Sequence, residues 1–554
     1  MSLDPIITKW SQGWRGPALA ALIALVAGLP GVLGLPPLDR DESRFVQATT
    51  QMLETGDFVV IKYQDQPRFK KPVGIYWLQA AAVSLTSRPE ARAIWAYRIP
   101  SLLGAMLAAA ACAWGAAAFF GSSTGLIAGA TLAVSFLLST EASIAKTDAV
   151  LCGTTTLALA AMGRLYAQAH GGSPVGWRTR LLFWLGLSSA VLVKGPIGLL
   201  VVILTGAALW IWDRKAPWLK SMGWGWGLVL MLAVVGPWAG SVTVATDGAF
   251  WTTAIAGDLA PKLVGGQESH GAWPGYHLLA APLMFFPATL LLPAALVLGW
   301  QRRNEPGIRF ALAWLIPAFL MFEITPTKLV HYPLPTYGAL AWLVAASLSQ
   351  PISPRLRWAG AGLGVVVGLL LAGLVAYLVA TYGDSGDRPV AIITALLLAG
   401  SGLLGAALLV RDRATLALVG AGSLAILGHG TLTLGVVPSL EPLLISTRTA
   451  AVLEAARLLP RQGIAPAPIA VAGYAEPSLV FALGTTTDLG DAQDAVTALA
   501  EHRPAIVESR EQARFQAGAK ALGLTPDKIG EVKGTNYSNG DDTDLSIYAP
   551  EPLP

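Results

Sequence analysis

A series of short polar motifs interrupts an otherwise apolar chain, most of them combining cations with carboxylates, imidazoles or phenols that could do chemistry. Leu38-Asp39-Arg40-Asp41-Glu42-Ser43-Arg44-Phe45 crowds acids and arginines at the exit of the first apolar segment. Phe69-Lys70-Lys71-Pro72-Val73-Gly74-Ile75-Tyr76-Trp77 sets paired lysines at the start of a helical stretch, where ammonium groups and free helix N–H groups both attract phosphate. Lys146-Thr147-Asp148 and Lys194-Gly195-Pro196 are shorter, and each alone is a weak signal. Pro326-Thr327-Lys328-Leu329-Val330-His331-Tyr332-Pro333-Leu334-Pro335-Thr336-Tyr337 offers a cation, an imidazole and phenols on a proline-broken backbone of the kind that lines cavities. Ionisable groups beside hydrocarbon are costly, so each is retained for solvation or for function. The bland roles are a helix-capping acid for Asp41 and snorkelling for Lys70 and Lys71. Glu268 and His270 share one external loop and form a candidate pair of ligands for zinc or magnesium, too few to define a site.

The elements that must position these groups follow from composition. Of 554 residues, 54% are hydrophobic and 13% charged, against roughly 25% charged in soluble domains. A single water-soluble fold is excluded, and the reading is an α-helical polytopic membrane protein. Scanning for stretches of about 20 apolar residues gives about thirteen candidate spans: 17–35, 98–119, 124–140, 148–167, 181–193, 196–212, 223–245, 276–300, 309–325, 334–350, 358–381, 389–410 and 415–437. The fifth is short and runs into Lys194-Gly195-Pro196. Arg178 and Arg180, Arg214 to Lys220, Arg302 to Arg309, Arg355 and Arg357, and Arg411 and Arg413 then fall on one side, as cytoplasmic loops require. The polar motifs fall on the other side, with His270, His277, His331 and His502. Within the first external loop, 43–55 and 72–84 read as helices lying in the interface, too short to span. Apolarity ends at Pro438. Residues 438–554, about 115 in all, alternate strand patterns at 468–472 and 505–507 with a helical one at 492–501, an α/β domain large enough for its own core. Residues 1–437 are then the transmembrane domain. The net charge is only +4 and no basic tract interleaves with aromatics, which argues against nucleic acid. Cys112 and Cys152 lie in apolar stretches and read as small core residues.

In order and spacing, Asp-Glu after the first span, Lys-Pro-x-Gly-x-Tyr-Trp, Lys-Thr-Asp, Lys-Gly and Lys-Leu-x-His-Tyr-x-Leu-Pro resemble the bacterial aminoarabinose transferases (ArnT) and related protein-mannosyltransferase-like enzymes. Tyr474-Ala475-Glu476-Pro477-Ser478-Leu479 in the soluble domain also looks familial. The resemblance implies a GT-C-type glycosyltransferase in the bacterial inner membrane, with its site and C-terminal domain in the periplasm. It implies transfer of 4-amino-4-deoxy-L-arabinose from undecaprenyl phosphate to a lipid A phosphate. One departure is Lys70, where such enzymes often carry Glu. Displacing a polyprenyl phosphate from an anomeric carbon develops positive charge on the sugar and negative charge on the leaving phosphate, so cations and carboxylates are both needed. Lys71 is the expected donor-phosphate ligand, with Arg44, Lys194, Lys328, His331 and Tyr332 as helpers. Asp41 is the expected base or acceptor-orienting carboxylate, and Asp148 the second catalytic acid. Glu42, Tyr76 and Tyr337 are expected to contact sugar or acceptor. Competing readings are transfer of another polyprenyl-phosphate sugar, for instance to protein, and a lipid-linked sugar flippase. A flippase would show internal repeats and ionisable residues near the midplane, whereas the charges here gather at one face.

Overall fold

The computed structural model describes residues 4–37, 40–265, 271–462 and 467–550. Among them, nine helices are each long and apolar enough to cross a bilayer, or ten if one bent pair counts as a single span. The differences from the expected spans have local causes. The stretch 124–140 divides into Ser122–Ala133 and Phe136–Glu141 at Ser135, whose backbone is extended. The stretch 276–300 is not one rod, because Tyr276–Met284 and Ala288–Gln301 meet at 112°. Leu334–Ser347 is short, and its helix Tyr337–Ser347 is buried along its whole length. Trp177–Lys194 is a helix of its own, charged at both ends. It stops at Gly195, whose φ of +63° a residue with a Cβ rarely adopts, and Pro196 opens the next helix with a φ already helical.

Small residues let the central helices close backbone to backbone, the packing that replaces hydrophobic drive inside a membrane. Ile94–Phe120 and Asp148–Ala169 cross at Gly104, where a Cβ would lie 2.6 Å from the Val150 Cα. That crossing holds Asp148, the first residue of its helix, at a fixed depth.

The loop after the first span forms helix Arg40–Thr55, a two-stranded turn of Lys62–Tyr63 with Gln66–Pro67, and helix Gly74–Thr86. Asp41 and Glu42 lie in the first turn of Arg40–Thr55, at the favourable end of its dipole. Helix Gly74–Thr86 suits the interfacial role expected of it, with Trp77, Leu78 and Leu85 exposed. Helix Arg40–Thr55 does not, since its residues from Phe45 to Met52 are almost all buried. The soluble domain roofs it: Arg92 donates to Gln47 Oε1 at 2.7 Å and to the Phe481 carbonyl at 2.8 Å, and Gln47 donates to Thr485 Oγ1 at 2.7 Å.

The soluble domain carries a five-stranded sheet in the order Asp488–Gly490, Ala470–Ala472, Ala505–Glu508, Asp542–Ala549, Asp527–Thr535. The first three strands run parallel, and the last two continue antiparallel. Helix Ala492–Ala500 packs on it, capped by Asp491 through the backbone N–H groups of Gln493 and Asp494.

Candidate active site

The polar motifs, far apart in sequence, come together at one end of the helix bundle. Gly74 explains the spacing of the paired lysines from the helix that follows. A Cβ on it would lie 2.7 Å from the Leu192 carbonyl oxygen, so glycine alone allows Gly74–Thr86 to dock on the end of Trp177–Lys194. Docking brings Lys71 within electrostatic reach of Lys194.

Lys194 Nζ donates to Asp148 Oδ1 at 2.5 Å and lies 5.4 Å from the centroid of the Tyr332 ring. His331 stands between two carboxylates, with Nε2 3.7 Å from Asp148 and Nδ1 3.6 Å from Glu141. Lys146 pairs with Glu141 at 3.2 Å. Asp148, Lys194, His331 and Tyr332 therefore meet as the sequence motifs suggested, joined by Glu141 and Lys146. Glu141, Asp148 and His331 also form a group with ligand atoms within 4.8 Å of one another, the spacing of a metal site. The donor set fits a cation poorly, because Lys146 and Lys194 already neutralise both carboxylates and a dication would have to displace them. The other candidate pair, Glu268 and His270, lies outside the described residues.

Lys71 donates to Asp258 Oδ2 at 3.0 Å, and Lys262 donates to Asp258 Oδ1 at 2.7 Å. Burial pushes the Lys71 amine down to about 8, Asp258 holding it up against the repulsion of Lys262 and Lys194. Burial alone would raise the Asp258 carboxyl, yet the two lysines outweigh it and hold the group below its usual range.

Asp41 is half-exposed and paired with Arg44 at 3.3 Å. Around it, Arg40 reaches Glu476 of the soluble domain at 3.5 Å, and the Arg68 guanidinium lies over the Phe45 ring at 5.2 Å. These arginines surround Tyr63, whose phenol burial pushes up to about 12 while Arg44 and Arg68 pull it down. Glu476 is held by Asn536 at 3.1 Å and Ser538 at 2.6 Å, which gives its familial motif a place at the mouth of the site. Leu38 and Asp39 of the first motif lie outside the described residues.

Several expected ligand contacts have structural work instead. Glu42 is buried with both oxygens taken by Arg98, at 2.8 and 2.9 Å, and it accepts the Ala145 N–H at 2.6 Å. Arg98 in turn donates to the carbonyls of Leu35 at 2.5 Å and Pro36 at 3.2 Å. The pair ties off the C-terminal end of the first span, a positioning role and not a sugar contact. Lys328 is fully buried and donates to the carbonyls of Glu323 at 2.6 Å and Thr325 at 2.7 Å, capping helix Pro306–Ile324 and leaving no reach to a phosphate. Tyr337 is core, packed edge-on against Phe285 at 5.5 Å. Tyr76 is buried, with its ring against Phe45 at 5.4 Å. Sequence reasoning passed over Arg98, Glu141, Asp258 and Lys262. Arg98 and Glu141 carry a usable signal, a charge at the very edge of an apolar span. Asp258 and Lys262 carry the i, i+4 spacing of a helical ion pair.

Residues 38–252 match the family model for dolichyl-phosphate-mannose-protein mannosyltransferase. The undecaprenyl phosphate-alpha-4-amino-4-deoxy-L-arabinose arabinosyl transferase of Aeromonas salmonicida is 28% identical over 389 residues, 67% of this chain and 69% of that protein. The protein of that name from Pectobacterium atrosepticum is 27% identical over 420 residues, 73% of each. The crystal structure of ArnT from Cupriavidus metallidurans bound to undecaprenyl phosphate shares the fold, with TM-score 0.74 and 19% identity over 99% of this chain and 98% of that one. The chain has the multi-pass membrane fold of the GT-C type, and its matched segment is similar to glycosyltransferases that use polyprenyl-phosphate sugars. Within that class, it is the aminoarabinose transferases, ArnT, that this chain resembles along most of its length.

Proposed function

We propose that this protein moves 4-amino-4-deoxy-L-arabinose from undecaprenyl phosphate to a lipid A phosphate, at the periplasmic face of the bacterial inner membrane. The observation that carries the reading is the convergence of Lys71 with Lys194, Asp148, His331 and Tyr332 at one bundle end, a cationic place for a leaving phosphate beside carboxylates for a sugar. The relatives' names supply the sugar and the polyprenyl carrier. An acceptor phosphate oxygen attacks the anomeric carbon while the bond to the donor phosphate breaks, inverting the centre. Lys71 takes the charge that grows on the departing phosphate, where a preformed cation helps most. A phosphate monoester has a second pKa of about 6 and is largely ionised at neutral pH, so no strong base is needed. Asp41, open to solvent and steered by Arg44, orients the acceptor. Asp148 holds Lys194 and His331 in register. Residues 438–554 form the periplasmic domain that closes over the first loop.

Transfer to a protein hydroxyl is the second reading, favoured by the match of 38–252 to protein mannosyltransferases. Incubating purified protein with defined polyprenyl-phosphate sugars and lipid A, followed by mass spectrometry of the lipid, decides between them. Aminopentose on lipid A supports the first reading. Hexose on protein with unmodified lipid A overturns it.

A further inference from the structure

Lys71 and Lys262 converge on the single carboxylate of Asp258, one on each oxygen, at 3.0 and 2.7 Å. Among the described residues, no other carboxylate pairs with either lysine. Two cations sharing one anion leave a net positive charge, and the arrangement of two ammonium groups on two oxygens is the one a phosphate would also accept. Asp258 itself is largely buried and lies on a π-helical turn, Thr253–Leu259, followed at once by the short α-helix Ala260–Val264 that carries Lys262. A π turn is rare, tends to occur at functional sites and differs from an α turn by one residue of register, so a small rewinding moves its carboxylate.

We infer that Asp258 is an internal stand-in for the donor phosphate: it occupies Lys71 and Lys262 when no lipid is bound, yields them when the phosphate arrives, and by competing for them again helps expel the polyprenyl phosphate product. The inference rests on the reading of Lys71 as the phosphate ligand given above. Its physical sense lies in charge. The donor's phosphodiester carries one negative charge, whereas the released monoester carries up to two and is held more tightly by the same cations. Without a competitor, the product is the better ligand and turnover stalls on release. Asp258, tethered within reach, offers the lysines a partner at high effective concentration. The competitor also keeps Lys71 charged and Lys262 in place between turnovers, so the phosphate meets a prepared site.

The test uses the full-length protein in detergent, with undecaprenyl phosphate as probe. Neutralising the competitor in Asp258→Asn, assayed in mild acid where Lys71 stays protonated without its partner, is expected to tighten binding about ten-fold, and to raise inhibition by added undecaprenyl phosphate to match. Unchanged or weaker binding in a folded Asp258→Asn protein overturns the inference. A second measurement needs no variant: a carbodiimide couples carboxylates to amines already in contact, so wild-type protein should give an Asp258 cross-link to Lys71 or Lys262 by peptide mass spectrometry. Saturating undecaprenyl phosphate should suppress that cross-link, and its persistence at saturation equally overturns the inference. Lys71→Ala separates the two levels of argument. If wild type and Lys71→Ala bind the lipid alike, Lys71 is not the phosphate ligand and the functional reading fails. If Lys71→Ala loses binding while Asp258→Asn gains none, only the stand-in fails.

Discussion

Raising the pH should weaken polyprenyl phosphate binding at a midpoint set by one side chain. Burial lowers the Lys71 amine to about 8 from its ordinary value of 10.5, so the lipid-free protein carries it mostly protonated at neutral pH and mostly neutral in mild alkali. A bound phosphate favours the charged form. Affinity is therefore flat below about pH 8 and then falls by roughly ten-fold for each further unit, about 1.4 kcal/mol per unit. By pH 9.5 the loss is roughly thirty-fold. The lipid does not confuse the profile, because a phosphate monoester with a second pKa of about 6 stays ionised throughout. The assay is equilibrium binding of undecaprenyl phosphate to detergent-solubilised protein between pH 7 and 9.5 at constant ionic strength, with wild type, Lys71→Arg and Lys71→Ala in parallel. Arginine does not deprotonate in this range, so Lys71→Arg should abolish the alkaline fall. Lys71→Ala should bind weakly at every pH, losing the roughly 1.5 to 3 kcal/mol of a charge-assisted contact. A wild-type profile flat to pH 9.5, or an alkaline fall that persists unchanged in Lys71→Arg, refutes the placement of Lys71 at the phosphate.

Asp41→Asn keeps the shape of the helix start and removes the charge. Turnover should fall by about 10- to 10²-fold with lipid binding intact, the loss of one charge-assisted contact that orients the acceptor, and wild-type turnover would return it to a capping role. Arg98→Met strands the Glu42 carboxylate in the bundle, so thermal unfolding in detergent should show a loss of about 3–5 kcal/mol; an unaltered melting point refutes the buried pair. Reporter fusions after Arg413 and after Pro438 should lie on opposite sides of the membrane, and the same side for both refutes the assigned orientation.

The parts of this molecule that were legible in the chain are those governed by local pattern. Apolar length marked the bundle, and strands 470–472 and 505–508 fell within a residue or two of the expected strand patterns. Types and spacing of residues also placed Lys194, Asp148, His331 and Tyr332 in one region. What pattern does not encode is where a side chain's partner comes from. Glu42 and Lys328 look like site residues because both stand in polar motifs at helix mouths, and only the fold shows Arg98 and the end of Pro306–Ile324 consuming them. Tyr76 and Tyr337 offer phenols in polar motifs, and the fold buries both rings against Phe45 and Phe285. Asp258 shows in the sequence only its i, i+4 spacing from Lys262, and its link to the site appears once Lys71 is placed 3.0 Å away. Span counting fails similarly at 276–300, where hydropathy is blind to a 112° bend.

The roof over helix Arg40–Thr55 has a consequence for how the protein matures. Ribosomes make that helix near the start of synthesis, whereas Glu476, Phe481 and Thr485, which grip Arg40, Arg92 and Gln47, emerge only after the last span has been threaded. For most of its biogenesis the loop carrying Asp41 thus lacks the cover that orders it. The pocket around Asp41 is therefore complete only once the last part of the chain has folded against the loop made first.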